Sequence, residues 1–151
     1  MSNISMVISK SMKNIGPEKE VESQVIAWAF SKRWSLDVFD SKMIFVGGHG
    51  KSNSGIPLGC SDLVGNTDEG IAAYIELKEP NKDGVCRLSQ RQFLEKKIDS
   101  NAFACVVSSV AMLEEIFRKW KSLSGKEARD FLRSQLPNKV IVGKKVVQLS
   151  K

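Results

Sequence analysis

Residues 72–80 read AAYIELKEP, and the rest of the fold is interpreted outward from this stretch. Polar and apolar residues alternate along its centre, which is typical of a half-buried β-strand. Successive side chains of a strand point to opposite faces, so Tyr74, Glu76 and Lys78 share one face. Burying an acid or a base is costly unless the charge has a partner or a use. The surrounding sequence therefore has to show what Glu76 and Lys78 interact with.

A second strand in front of this stretch supplies a candidate partner. Residues 61–66 and 71–79 are predicted to form a hairpin around the turn Thr67-Asp68-Glu69-Gly70. The midpoint between Asp62 and Glu76 falls inside that turn, so a symmetric hairpin sets the two acids opposite each other, with Cβ atoms about 5 Å apart. Two carboxylates at that distance either share a proton or hold a cation between them.

Lys78 lies one pleat beyond Glu76, so three ionisable groups are expected to converge. Oxygen ligands of this kind suit a hard divalent cation such as Mg²⁺ or Mn²⁺, and a lysine beside it can position or deprotonate a water. The alternative is an exposed hairpin face on which Glu76 and Lys78 form an ordinary solvated ion pair.

The remaining elements predict an α/β fold, with a mixed β-sheet flanked by helices. Helices are expected from Pro17 to about Trp34, from Ser89 to about Ser100, from Ser109 to about Trp120 and from Ser124 to about Gln135; strands are expected at 43–46 and 103–108, and a terminal hairpin at 140–142 and 146–149. Capping boxes are predicted at Ser89 with Gln92 and at Ser124 with Glu127. Residues 47–59 are predicted to form a loop.

Composition limits the class of protein. The 151 residues suit one domain, here residues 15–151 behind a weakly ordered lead-in at 1–14. Apolar runs are too short to span a bilayer, and no signal peptide is indicated. Three cysteines without CxxC spacing favour free thiols in a reducing cytoplasm. The net charge of +6 suits a polyanionic partner, although surface charge alone is an equal explanation.

Three short motifs and a strand occur in a specific order. Gly59-Cys60-Ser61-Asp62 is followed by the hairpin with Ile75-Glu76-Leu77-Lys78, then by Leu88-Ser89-Gln90-Arg91-Gln92 and a Val106-Val107-Ser108 strand. In this order the chain resembles the VRR-NUC family of the PD-(D/E)xK nuclease superfamily, from about Glu20 to Leu113. Ser61 stands where the superfamily usually has a proline before the first acid. The stretch after Ser122 has no counterpart in the family.

The resemblance implies a restriction-endonuclease-like fold and a metal-dependent phosphodiesterase. It implies that Asp62, Glu76 and the backbone carbonyl of Leu77 bind Mg²⁺ or Mn²⁺, and that Lys78 holds the attacking water. A glutamate of the first helix completes such sites, often through a water. The candidates are Glu22 and Glu20. Glu22 is on the same side of the helix as Val25, Ile26 and Ala29, so its side chain can point inward. Gln92 is expected to reach the site from the next helix, unless it only caps that helix.

The expected substrate is DNA. The resemblance suggests a branched substrate, with Holliday-junction resolution by a homodimer as the sharpest possibility; the alternatives are a flap, nicking or site-specific endonuclease, or a non-catalytic DNA-binding module. His49, Lys51, Lys144 and Lys145 are candidate phosphate contacts. The apolar helix 110–120 is a candidate dimer interface, unless it packs in the core. The family association favours a bacterial or phage protein, and Gly50-Lys51-Ser52 lacks the glycine that a nucleotide-binding P-loop needs.

Overall fold

The structure is a computed structural model, and it describes residues 16–39 and 59–149. Its elements in chain order are α1 (Pro17–Ser31), β1 (Ser35–Val38), β2 (Leu63–Asn66), β3 (Ala72–Leu77), β4 (Val85–Arg87), α2 (Leu88–Asp99), β5 (Phe103–Val107), α3 (Val110–Lys121), α4 (Gly125–Gln135), β6 (Lys139–Val142) and β7 (Lys145–Gln148). The α/β class is thus as expected. The strand predicted at 43–46, the loop at 47–58 and the lead-in at 1–14 lie outside the described ranges.

The first sheet has four strands in the order β1-β2-β3-β5. The pairs β1–β2 and β2–β3 are antiparallel, and β5 pairs with β3 in the parallel direction. This parallel step places the ends of β3 and β5 at the same edge of the sheet, with Leu77 opposite Val107. The sheet is therefore mixed, as the sequence indicates.

A second, three-stranded sheet was not predicted. The terminal hairpin β6–β7 forms as expected, but β6 also pairs in parallel with β4, the short strand that leads into α2. β1 was missed as well, because Ser35-Leu36-Asp37-Val38 is short and largely exposed and has little of the apolar character of a strand.

Helices α1, α2, α3 and α4 pack around the first sheet. Val25 of α1, Leu94 of α2 and Leu113 of α3 are fully buried beside β3 and β5. A hydrogen bond of 2.7 Å from Trp28 Nε1 to Glu114 Oε1 joins α1 to α3. No helix within the described ranges has the length and apolarity to cross a bilayer.

Helix α3, the candidate dimer interface, directs its apolar stripe into the core. Leu113 and Ile116 are buried in the core, and Met112 and Phe117 pack against it. The apolar stripe of this helix is therefore used within the molecule, in agreement with the alternative of core packing. Ser109 caps α3, because its Oγ accepts the backbone N–H of Met112 at 3.1 Å. All three cysteines are free thiols.

Candidate active site

The β2–β3 hairpin has the register that its symmetry predicts. Leu63 lies opposite Ile75, so the next position out sets Asp62 against Glu76. Asp62 follows the loop and precedes the strand, and its Oδ2 accepts the backbone N–H of Leu77 at 2.8 Å. The charge of Asp62 is close enough to raise the pKa of Glu76. The register and the Asp62–Leu77 hydrogen bond thus place Asp62 beside Glu76, as hairpin symmetry predicts.

Glu76 is the most unusual side chain of the site, because only 3% of its surface is exposed. Its Oε1 accepts a hydrogen bond of 2.5 Å from Gln90 Nε2, whereas its Oε2 is buried without a hydrogen-bond partner. Burial and the neighbouring Asp62 raise the pKa of Glu76 to about 8. Burial also raises the pKa of Asp62, against the opposing effect of the Leu77 N–H. At neutral pH and without a bound cation, the Glu76 carboxyl therefore retains a proton.

Lys78 lies beside this pair. Its Nζ is 3.9 Å from Glu76 Oε1 and 3.4 Å from Gln90 Oε1, and its side chain is 21% exposed. Lys78 follows the last residue of β3, where its backbone N–H donates to the Val107 carbonyl of β5. The ammonium is thus anchored at the sheet edge with a path to solvent, which differs from the freely solvated pair of the alternative interpretation.

The glutamine of the site is Gln90, not Gln92. Helix α2 begins at Leu88, so its third residue is Gln90, and the Gln90 Oε1 accepts the backbone N–H of Arg87 at 2.9 Å. The same amide spans Glu76 and Lys78. Gln92 is exposed. The predicted capping box at Ser89 and Gln92 is therefore wrong by two residues, and its helix-start geometry occurs instead at Arg87 and Gln90.

Gly59 fixes the distance between the first acid and this helix. Its φ is +82°, and a Cβ at this position would lie 2.3 Å from the carbonyl oxygen of Ser89. Only glycine allows so close an approach with that backbone conformation. The Gly-x-x-Asp motif therefore sets Asp62 and the start of α2 side by side.

Two glutamates of α1 border the site. The charge of Glu22 raises the pKa of Asp62, and burial together with Asp62 raises the pKa of Glu18. Glu18 and Glu22 are one turn apart and therefore share a helix face. Glu20 is exposed and lies on another side of the helix, so the structure favours Glu22 over Glu20. Glu18 was not predicted, although its i, i+4 spacing from Glu22 was a signal for it.

Glu22 already has a partner on its own helix, since Lys19 Nζ lies 3.1 Å from its Oε2. Within residues 16–39 and 59–149, no three His, Cys, Asp or Glu side chains form a group that could hold a metal ion. Side chains of this site therefore offer a cation two carboxylates, Asp62 and Glu76. The N–H of Leu77 faces Asp62, and the carbonyl of a strand residue points to the same side as its N–H. That carbonyl is the third oxygen available.

These groups fit a divalent cation. The Glu76 Oε2 is a buried acceptor without a donor, and most buried polar atoms in proteins have a partner. A cation would satisfy this oxygen and would also relieve the repulsion between the two carboxylates. Hard oxygen ligands of this kind suit Mg²⁺ or Mn²⁺ better than softer metals.

The other candidate contacts are spread along the chain. Lys144 and Lys145 are exposed at the turn of the β6–β7 hairpin. Since β6 runs parallel to β4, this turn lies beyond Arg87, at the end of the second sheet where α2 begins. His49 and Lys51 lie outside the described residues.

Comparison with protein-family models, with curated proteins and with solved structures gave no match.

Proposed function

We propose that this chain is a divalent-metal-dependent DNA endonuclease that hydrolyses phosphodiester bonds. The observation that carries the proposal is the Asp62–Glu76 pair, in which Glu76 is buried and Asp62 half-buried, with the unpartnered Glu76 Oε2 and the Lys78 ammonium at the same sheet edge. The motifs of the VRR-NUC resemblance also occur on the elements that it implies: a hairpin, a helix start and a parallel strand.

In this proposal Asp62, Glu76 and the Leu77 carbonyl hold Mg²⁺ or Mn²⁺, and Glu22 contributes through a water. The bound cation supplies acidification of a water and charge neutralisation at phosphorus. Lys78 orients the attacking water and stabilises negative charge on the phosphate oxygens. Gln90 hydrogen-bonds to both Glu76 and Lys78. It is therefore a positioning residue that fixes the two side chains relative to each other.

The preferred DNA is a further part of the proposal. A small domain has little surface for reading base sequence, so recognition through phosphates and shape is favoured. We propose branched DNA, with four-way junctions as the sharpest case, and resolution of a junction would need two sites in a symmetric pair. Flap, nicked and sequence-specific duplex DNA are the competing substrates.

A panel of labelled duplex, flap, nicked and four-way DNA, with Mg²⁺, Mn²⁺ or EDTA, tests this function. We expect cleavage that requires the metal and is fastest on the junction. Cleavage of flaps or nicks alone would overturn the resolvase assignment and keep the nuclease. Binding of DNA without cleavage of any substrate would instead indicate a non-catalytic binding module.

Lys78→Ala tests this proposal most directly. Loss of a charge-stabilising group costs about 100-fold or more in turnover, while binding of Mn²⁺ measured by calorimetry should be retained. The matched control is Lys82→Ala, which removes a nearby lysine that is paired with Glu79 in solvent. Wild-type turnover of Lys78→Ala would return Lys78 to the role of a surface ion-pair partner.

A further inference from the structure

The outer edge of strand β7 is open and apolar. The exposed fraction is 61% for Val146 and 41% for Val147, and Val142 is exposed across the hairpin. β7 pairs with β6 on one side only in the described part of the chain. Exposed apolar strands at a sheet edge are usually protected by charges or covered, since they pair readily with another strand. Among the described residues of β7 itself, Lys145 at its start is the only charged one.

The hairpin fixes which backbone groups point outward. Gly143, with φ +63°, and Lys144 form a two-residue turn, so Val142 and Lys145 are the hydrogen-bonded pair beside it. The same alternation is visible further along, where the Leu149 N–H donates to the Asn138 carbonyl at 2.7 Å. Lys145, Val147 and Leu149 therefore bond inward to β6. The N–H and carbonyl groups of Val146 and Gln148 point to the open edge.

We propose that β7 pairs with β7 of a second copy of this chain, in the antiparallel direction about a two-fold axis at Val147. This register sets the outward groups of Val146 against those of Gln148 in the partner, so four backbone hydrogen bonds can form. It also sets Lys145 opposite Leu149 rather than opposite another lysine, and like charges directly opposite each other are unfavourable. The strand is thus complementary to itself.

The pairing would join two three-stranded sheets into one sheet of six strands. A two-fold contact of this kind is closed, so it ends at a dimer and does not extend into a fibre. The contact is a single short strand with few side chains, so we expect a weak dimer with a dissociation constant of roughly micromolar or above. This inference concerns assembly alone and does not depend on nuclease activity.

Proline at position 146 gives a direct test. The Val146 N–H is not used by β6, and proline is tolerated on the open side of an edge strand. We expect Val146→Pro to retain the circular dichroism spectrum of the wild type but to be monomeric by light scattering at concentrations where the wild type is a dimer. A wild type that stays monomeric at the highest attainable concentration overturns the proposal and leaves the edge to a strand of another protein.

Disulfide trapping tests the register without a destabilising change. Val147 would face its own copy at a non-hydrogen-bonded position, where Cβ atoms are about 4.5–5.5 Å apart. We therefore expect Val147→Cys to form a covalent dimer several times faster than Val146→Cys. Val146 is the more exposed residue, so random collision predicts the opposite order. Equal or reversed rates, or a Val146→Pro variant that still dimerises, overturn the two-fold pairing at Val147.

Discussion

Gln90 joins three parts of the site through one amide group. Its Nε2 donates to Glu76, and its Oε1 accepts from Lys78 and from the Arg87 N–H at the helix start. An amide can do this because it carries a donor and an acceptor at fixed separation. A carboxylate in its place could not donate to Glu76, and would repel it.

We predict that Gln90→Ala lowers metal-dependent cleavage by about 10- to 100-fold, the range found when a residue that orients metal ligands is lost. Gln92→Ala is the matched control, since Gln92 is an exposed glutamine one half-turn away on the same helix. Initial rates on the best DNA substrate check this, with Mn²⁺ affinity as a second readout. Equal losses in both variants would contradict the assignment of Gln90.

The Glu76 carboxyl predicts an unusual pH dependence of stability for the metal-free protein. Its pKa is about 8 in the folded chain and about 4.5 when unfolded, so the folded state binds more protons between these values. Stability then falls as pH rises through this window. In EDTA, we expect the melting temperature to decrease from pH 6 to pH 9, and millimolar Mg²⁺ to reverse most of the decrease.

Glu76→Gln should flatten this profile and raise the melting temperature at pH 9 in EDTA by about 5 °C or more. Glu79→Gln removes a nearby acid that is paired with Lys82 in solvent, and should keep the wild-type slope. Differential scanning calorimetry over pH 5–9 distinguishes them. A melting temperature that rises with pH in EDTA would disprove the raised pKa as a determinant of stability.

At the scale of elements, Gly59 determines how closely the loop before β2 approaches α2. We predict that Gly59→Ala destabilises the protein by roughly 3 kcal/mol, because a methyl group would overlap the Ser89 carbonyl in addition to the backbone strain. Gly70→Ala is the control: its φ is +80°, but its Cβ would meet nothing within 4 Å, so only about 1–2 kcal/mol of backbone strain is expected. Urea denaturation of both variants gives the difference.

The elements also show what the sequence could and could not predict. The pairing of Asp62 with Glu76 followed from hairpin symmetry, because a hairpin register is set locally by its turn. The choice of Gln92 over Gln90 failed because Leu88 and Ser89 already belong to the helix, and helix boundaries depend on contacts as well as on caps. The β4–β6 pairing joins strands about fifty residues apart and leaves no local pattern.

At the scale of the molecule, exposed lysines lie in two separate regions of the fold. The turn of the β6–β7 hairpin lies at the end where α2 begins, whereas Lys121 at the end of α3 pairs with Glu69 at the opposite end, in the β2–β3 turn. If DNA binds at the proposed site, Lys144 and Lys145 beside the start of α2 are candidate phosphate contacts, whereas the lysines near the β2–β3 turn are not.

We predict that replacing Lys144 and Lys145 by alanine reduces the slope of log affinity against log salt concentration by up to about two, since each phosphate contact contributes about 0.9. Lys119→Ala with Lys126→Ala removes the same charge near the far end and should leave the slope unchanged. Fluorescence anisotropy with labelled DNA over a salt series measures both. An unchanged slope in the hairpin variant would show that this hairpin does not contact DNA.

The parallel pairing of β4 with β6 has a consequence for the order of events during synthesis. The two acids and Lys78 belong to a hairpin whose parallel neighbour, β5, is complete by residue 107. The strand that leads into Gln90 gains its only described sheet partner when residues 139–142 have been made. In a nascent chain, the strands that hold Asp62 and Glu76 could therefore pair well before β4 and the start of α2 have their sheet partner. The start of α2 would therefore gain this sheet contact only after residues 139–142 have left the ribosome.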